Sequence, residues 1–365
     1  MTRAGLYLIL AVALLFSMGL LMVFNTTAAE VIDRSLSTST HTALLKQIVY
    51  GLIGVSGGVV MMRVGYENLL RYSFPLLILA SVLLVLVFVP GVGMKINGAR
   101  RWLGVLGYPI GQPSEFIKIL VPAAYIRWYM LQNNKIGFYA FLKILGWLSL
   151  PLGLILFEPD NGTVLIIFLL LVVLFFLSKI KMHYWALPLM CLGAVGGTVA
   201  YQMPHVRTRI QVYLHPEFDL RGKGHQPHQA KIAAGSGGLL GRGLGESLQK
   251  LNYLPEARSD YIAAIFAEEM GFVGMLAMIS LYIVITASGF VIAMRVDSKE
   301  AFLLASILTF LISIQAFINL GVVSGLLPSK GMTLPFFSQG GSSLLMNLIA
   351  LSILLDISRK EPCLC

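Results

Sequence analysis

The chain has 365 residues, of which 57% are hydrophobic and 12% charged, and its mean hydropathy is +0.81. Soluble domains carry about a quarter charged residues, so this composition excludes an ordinary globular fold and points to an all-α polytopic membrane protein. Its net charge of +10 is scattered rather than blocked, which excludes a nucleic-acid groove and suits anionic membrane lipids.

Apolar runs fall at 5–26, 44–62, 73–92, 114–131, 139–157, 162–178, 184–201, 261–294, 301–323 and 340–357. Each approaches the roughly 20 residues that a helix needs to cross a bilayer, so about ten transmembrane helices are expected. The first run follows only Arg3 and offers no convincing cleavage site, so it is read as a retained span. An even count puts both termini on one side. Arg63, Arg71, Arg127, Lys135, Lys179, Lys181, Arg295 and Lys299 follow even-numbered runs and, with Arg3, Arg359 and Lys360, mark that side as cytoplasmic. No stretch has globular composition, so residues 1–365 are read as a single domain with a large extracytoplasmic loop at about 202–260, between the seventh and eighth helices. That loop reads as short amphipathic helices lying on the membrane. Cys191, Cys363 and Cys365 provide neither a disulfide framework nor metal-ligand spacing.

Four polar constellations interrupt the apolar pattern. In NGARRWLGVLGYPIGQPSEFIKI, Pro113, Ser114 and Glu115 read as a helix start, and Lys118 lies three residues on, within reach of Glu115. A structural ion pair is one reading; the other has Lys118 and Arg101 facing a cavity and holding an anion. In EPDNGT, the two carboxylates Glu158 and Asp160 at a tight turn read as water-facing turn residues and a helix cap, or as part of a site.

The third constellation runs from Gly235 to Gly274. Its glycines would let backbone approach a phosphate closely, yet no P-loop lysine-serine pair follows. Asp260 stands just before a long apolar run, near Glu256, and is either an N-cap or a general base. Glu268 and Glu269 lie deeper in the same run, where an unpaired carboxylate is costly, so they require a partner or a polar cavity. The fourth, PSKGMTLPFFSQGGSS, breaks the chain before the last span. Lys330 and the hydroxyls of Ser342 and Ser343 suit an anionic headgroup, and a re-entrant loop is the structural alternative.

GARRW, QPSE, EPDNGT, GSGGLLGRGLGESLQKLNYLPEARSD, AEEMGFVG and PSKGMTLPFFSQGGSS together resemble the signatures of the FtsW/RodA/SpoVE (SEDS) family, over essentially the whole chain. GESLQKLNYLPE resembles the division-associated FtsW branch more than RodA. The resemblance implies a ten-helix glycosyltransferase of the bacterial cytoplasmic membrane that polymerises lipid II into glycan strands. It also implies work beside a class B penicillin-binding transpeptidase and other division or elongation proteins. The family's essential aspartate falls on Asp260. Arg258-Ser259 stands where many members have His-Thr, and Gln339 where many have Tyr.

On this reading Asp260 takes the proton of an attacking sugar hydroxyl, while Arg101, Lys118 and Lys330 hold the leaving diphosphate. Glu115, Asp160, Glu256, Ser342 and Ser343 complete the expected substrate site. A single attack inverts the anomeric centre. The sequence admits a divalent cation, Mg or Mn, near Asp260 and Glu256 but has no ligand cluster that demands one. A flippase for the lipid-linked precursor, an elongation polymerase of the RodA type and a non-catalytic scaffold are the competing readings.

Overall fold

A computed structural model describes residues 2–34, 41–96, 99–105, 108–132, 136–215, 224–250 and 258–360. Among these, a helix covers each of the ten expected apolar runs. Seven are long and apolar enough to cross a membrane: α1 (Arg3–Arg34), α2 (Thr42–Val64), α6 (Phe138–Phe157), α8 (Met182–Gln202), α11 (Ile262–Met294), α12 (Lys299–Val323) and α13 (Gly341–Lys360). Two more, α4 (Ser73–Val87) and α7 (Asn161–Leu177), are as apolar but shorter. The tenth, α5 (Pro113–Leu131), carries Glu115, Lys118 and Arg127 within one span. A short α3 (Tyr66–Arg71) precedes α4, and α9 (Pro204–Leu214) and α10 (His225–Ser236) follow α8.

The bundle is apolar outside and partly polar within. Leu52, Leu79, Met190 and Val195 face outward, while Lys118, Glu268, Glu269 and Gln315 are buried. This is the arrangement lipid imposes, since hydrocarbon outside the bundle tolerates leucine and excludes unpaired charge.

The connection before α5 is a three-stranded antiparallel sheet rather than a plain loop: β1 (Gly93–Ile96), β2 (Ala99–Val105) and β3 (Tyr108–Gly111), in that order. Met94 pairs with Trp102 and Leu103 with Gly111. Its strands are too short, and too broken by glycine, to stand out among the apolar runs. Because successive strand residues point to opposite faces, adjacent arginines are separated: Arg100 is exposed, and Arg101 turns inward against the α6–α7 turn.

The glycine-rich segment after α10 folds onto α11. Within α11, Gly271 has φ 65° and ψ −164°, a break in the helix. Such a break strips partners from the backbone groups on either side. The loop supplies them: the N–H groups of Arg242 and Gly243 donate to the carbonyls of Glu268 and Glu269, both at 3.0 Å. In return, the N–H groups of Phe272 and Val273 donate to Gly238 and Leu239 at 2.9 and 3.1 Å. The close approach afforded by the glycines is therefore to α11, not to a phosphate.

The side chains of Glu268 and Glu269 reinforce this seam. Glu268 accepts from Ser247 Oγ at 2.6 Å, and Glu269 pairs with Lys250 Nζ at 2.9 Å and accepts from Asn25 Nδ2 at 2.5 Å. Both deep carboxylates thus have the partners their position requires.

A Cβ at Gly271 would collide with the Gly241 backbone nitrogen, and its φ is unfavourable for any L side chain. Gly271→Ala should therefore lower the melting temperature of the detergent-solubilised protein, by at least ~1 kcal/mol of stability. Gly235→Ala, with open space around its Cβ, should melt like the unaltered chain.

Candidate functional site

At one end of the bundle the N-terminal ends of α5, α7, α11 and α13 converge on a cavity of about 600 Å³. Helix N-termini carry partial positive charge, so four of them together favour an anionic or electron-rich occupant. Among the expected site residues, Arg101, Glu115, Lys118, Asp160, Asp260, Ser342 and Ser343 line this cavity. Lys330 lines a small adjoining recess together with Arg101, Asp160 and Arg209. Glu256 lies outside the described residues, and so does any cation site shared between it and Asp260. Among the described residues no group of three His, Cys, Asp or Glu could hold a metal ion.

Several of these side chains also have structural work. Lys118 Nζ lies 2.7 Å from Glu115 Oε2, and both residues are buried, so the pair arrives in the wall already neutralised. Asp160 caps α7: its carboxylate accepts from the Thr163 N–H at 3.3 Å and from Thr163 Oγ1 at 2.8 Å, and it also takes the Gln112 amide at 3.0 Å. Arg101 donates from Nε to the Glu158 carbonyl at 3.0 Å and from Nη2 to the Pro159 carbonyl. A guanidinium has five N–H groups, so donors remain for a ligand. Ser342 Oγ accepts from the Gln112 N–H at 3.1 Å, and Ser343 Oγ from Thr333 Oγ1 at 2.8 Å.

Asp260 is placed differently. The cap of α11 is Tyr261, which makes no side-chain capping bond, so Asp260 is not spent as an N-cap. Its backbone is held from the opposite side: Asn319 Nδ2 donates to the Asp260 carbonyl at 2.9 Å and to the Met332 carbonyl at 2.6 Å, while the Gln339 N–H donates to the Arg258 carbonyl at 3.0 Å. These bonds tie the approach to α11 to the irregular segment before α13. That segment is itself fastened inward, with Gln47 Nε2 donating to the Ser338 carbonyl and Tyr282 Oη to the Pro335 carbonyl. Gly331 lies so close that a Cβ there would sit 2.6 Å from Asp260 Oδ2.

Two groups beside the cavity have shifted protonation. Glu158, at the α6–α7 turn, is fully buried, and neither carboxyl oxygen has a hydrogen-bond partner among the described residues. Burial, with the Asp160 charge adding and Arg101 opposing, pushes its carboxyl up to about 8, so it is protonated at neutral pH. Lys330 donates to the Asn161 carbonyl at 3.1 Å. Its ammonium is pushed down to about 8 by burial, with Asp160 opposing that shift and Arg209 adding to it.

Sequence reasoning missed Gln315 and Asn319 on α12 and assigned Arg209 only to a surface helix. Gln315 and Asn319 are amides four apart within an apolar run, hence on one helix face. That spacing was the available signal.

The family model described as a cell cycle protein, covering FtsW, RodA and SpoVE, matches residues 6–362. The chain belongs to the FtsW/RodA/SpoVE family. A probable peptidoglycan glycosyltransferase FtsW from Trichlorobacter lovleyi is 37% identical over 359 residues, 97% of this chain and 92% of the relative. Stage V sporulation protein E of Bacillus subtilis is 37% identical over 361 residues, 98% of each chain. The crystal structure of RodA from Thermus thermophilus superimposes with a TM-score of 0.70 at 26% identity, covering 97% and 96% of the two chains. A chain from a peptidoglycan synthase complex that coordinates polymerization and crosslinking superimposes with a TM-score of 0.77 at 25% identity, over 96% of each.

In this FtsW/RodA/SpoVE family member, Glu158 binds a proton more tightly when folded than its ordinary value of 4.5 allows when unfolded. Its contribution to stability is therefore complete below 4.5 and is lost as pH rises to about 8. Glu158→Gln, which mimics the protonated carboxyl, should lack this decline: between pH 5 and 9 its melting temperature should fall less than that of the unaltered chain. Separately, Gly331→Ala should displace the Asp260 side chain from its packing while leaving the melting temperature within a few degrees, which a structure of the variant would reveal.

Proposed function

We propose that this chain polymerises lipid II into peptidoglycan strands at the outer face of the bacterial cytoplasmic membrane, for septal synthesis in division. In this reading ten helices span the membrane, both termini are cytoplasmic, and the cavity opens outward. The sheet, α9, α10 and the loop at about 202–260 are then extracytoplasmic. The observation that carries the proposal is the cavity itself, which brings the Asp260 carboxylate together with Arg101, the adjoining Lys330 and four helix N-termini.

The geometry supports a division of labour. The acceptor sugar's hydroxyl oxygen bonds to the anomeric carbon of the donor as the bond from that carbon to the diphosphate oxygen breaks. The hydroxyl proton passes to Asp260, and the electron pair leaves with undecaprenyl diphosphate. Arg101 and Lys330 meet the growing charge on the leaving group, aided by the helix N-termini. Lys118, neutralised by Glu115, contributes a fixed dipole more than a free cation. A single displacement of this kind inverts the anomeric configuration. Both reactants are lipid-anchored in one plane, so positioning supplies part of the acceleration. A class B penicillin-binding transpeptidase is the proposed partner, in line with the structural similarity to a chain of a synthase complex that couples polymerization to crosslinking.

The test is glycan synthesis from labelled lipid II by the purified chain with its transpeptidase. Asp260→Ala should lose about 10²- to 10⁴-fold in rate, the usual worth of a general base, and retain its melting temperature. Glycan made at the unaltered rate by Asp260→Ala, or lipid II moved across vesicles without chain growth, would overturn the proposal. The alkaline limb gives a second check. Lys330 loses its charge as pH rises through about 8, so activity should decline there, and Lys330→Arg, which stays charged, should carry the decline to higher pH.

A further inference from the structure

Both buried amides of α12 carry a carbonyl oxygen with no hydrogen-bond partner among the described residues, but it is Gln315, not Asn319, that lines the cavity. Asn319 spends its amide N–H groups on the Asp260 and Met332 carbonyls and so holds the site's backbone together. Gln315, four residues earlier on the same helix face, lies about 6 Å further along the axis. It is only 2% exposed, it lines the cavity that contains Asp260, and its carbonyl oxygen Oε1 has no hydrogen-bond donor among the described residues. An orphaned buried acceptor is costly, and an apolar residue would fill the same place on this largely apolar helix without that cost.

The chemistry of the orphan atom restricts what can satisfy it. A carbonyl oxygen accepts; it cannot bond to a phosphate or carboxylate oxygen that carries no proton. Its partner must therefore bring an O–H or N–H. Within lipid II the diphosphate and the isoprenoid lack such donors, whereas the sugars offer hydroxyls and acetamido N–H groups and the stem peptide offers amides. Of these it is the sugar that must lie beside Asp260, in the cavity Gln315 lines, for the attack. The cationic and helix-terminal features described above select the diphosphate, and they leave the sugar without a dedicated contact.

We propose that Gln315 is a sugar-binding residue: its carbonyl accepts a hydrogen bond from a hydroxyl or acetamido N–H of the lipid-linked sugar and so orients the ring against Asp260. This rests on the cavity being the lipid II site. It adds a second recognition element to that site, one that reads the sugar rather than the charge.

The experiment uses the full chain in detergent and measures binding as the ligand-induced rise in melting temperature, which requires no turnover. Two probes are compared, lipid II and undecaprenyl diphosphate, the latter carrying the same charge-bearing lipid without a sugar. Gln315→Met, of similar length and without the acceptor, should weaken lipid II binding by about tenfold, the worth of one buried hydrogen bond. It should leave undecaprenyl diphosphate binding unchanged and the melting temperature of the ligand-free chain equal or higher. In glycan synthesis the same variant should lose a comparable factor in kcat/KM.

Equal affinity for lipid II in the variant and the unaltered chain would overturn the proposal, as would an equal loss for both probes, which would mark Gln315 as a structural or diphosphate-facing residue. Gln315→Leu, read in the same way, serves if the methionine variant does not fold. A chain that binds lipid II but makes no glycan would count against the polymerase reading while leaving this comparison of probes intact.

Discussion

The polar end of this molecule depends on how the break in α11 at Gly271 is sealed. A helix in hydrocarbon cannot leave backbone groups unpaired, and the break frees two carbonyls and two N–H groups. The glycine-rich loop after α10 satisfies all four, and the Lys250–Glu269 and Ser247–Glu268 contacts fasten it. Below the break α11 crosses the bundle; above it, a short helical stretch leads back to Asp260. On the far side Asn319 and Gln339 hold the same approach against the segment before α13. Asp260 is thus fixed from two directions by backbone contacts at the wall of the cavity.

Charge is distributed by the same economy. Most buried ionic groups are used up locally: Lys118 by Glu115, Asp160 by the α7 cap, Glu269 by Lys250. Glu158 avoids a buried charge by holding a proton. A substrate in the cavity would meet a short inventory of Asp260, the spare donors of Arg101, a weakly basic Lys330 and the four helix N-termini. That inventory matches an electrically neutral acceptor hydroxyl attacking a sugar whose leaving group is dianionic or more, and it concentrates positive potential where the leaving group departs.

The helices were legible because hydropathy is local: each apolar run reports its own burial, whatever its neighbours. So were the Glu115–Lys118 pair and the Asp160 cap, which follow from spacing along one helix. The need of Glu268 and Glu269 for partners could be read from their depth, but not that Lys250 and Asn25 would supply them, since those contacts join residues far apart in the chain. The small sheet was hidden by its short, glycine-broken strands, and it decides that Arg101 rather than Arg100 faces inward. The glycines of the loop announced a close approach, read as one to a phosphate; the partner is instead α11, at a break at Gly271 that looks, in sequence, like one more small residue in an apolar helix. Gln315 was missed although Asn319 follows it four residues on, because its place in the cavity wall depends on contacts between distant helices that spacing along one helix does not report.

The central claim is spatial: the sugar reacts beside Asp260 while the diphosphate lies toward Arg101 and Lys330. The most direct measurement is a cryo-EM structure of the Asp260→Asn chain, with its transpeptidase partner, bound to lipid II. The account predicts headgroup density in the cavity, with the phosphates within hydrogen-bonding distance of Arg101 and Lys330 and a sugar hydroxyl against residue 260. Headgroup density elsewhere, for example along the apolar groove between α4 and α6 lined by Leu77 and Ile144, with the cavity left empty, would contradict it.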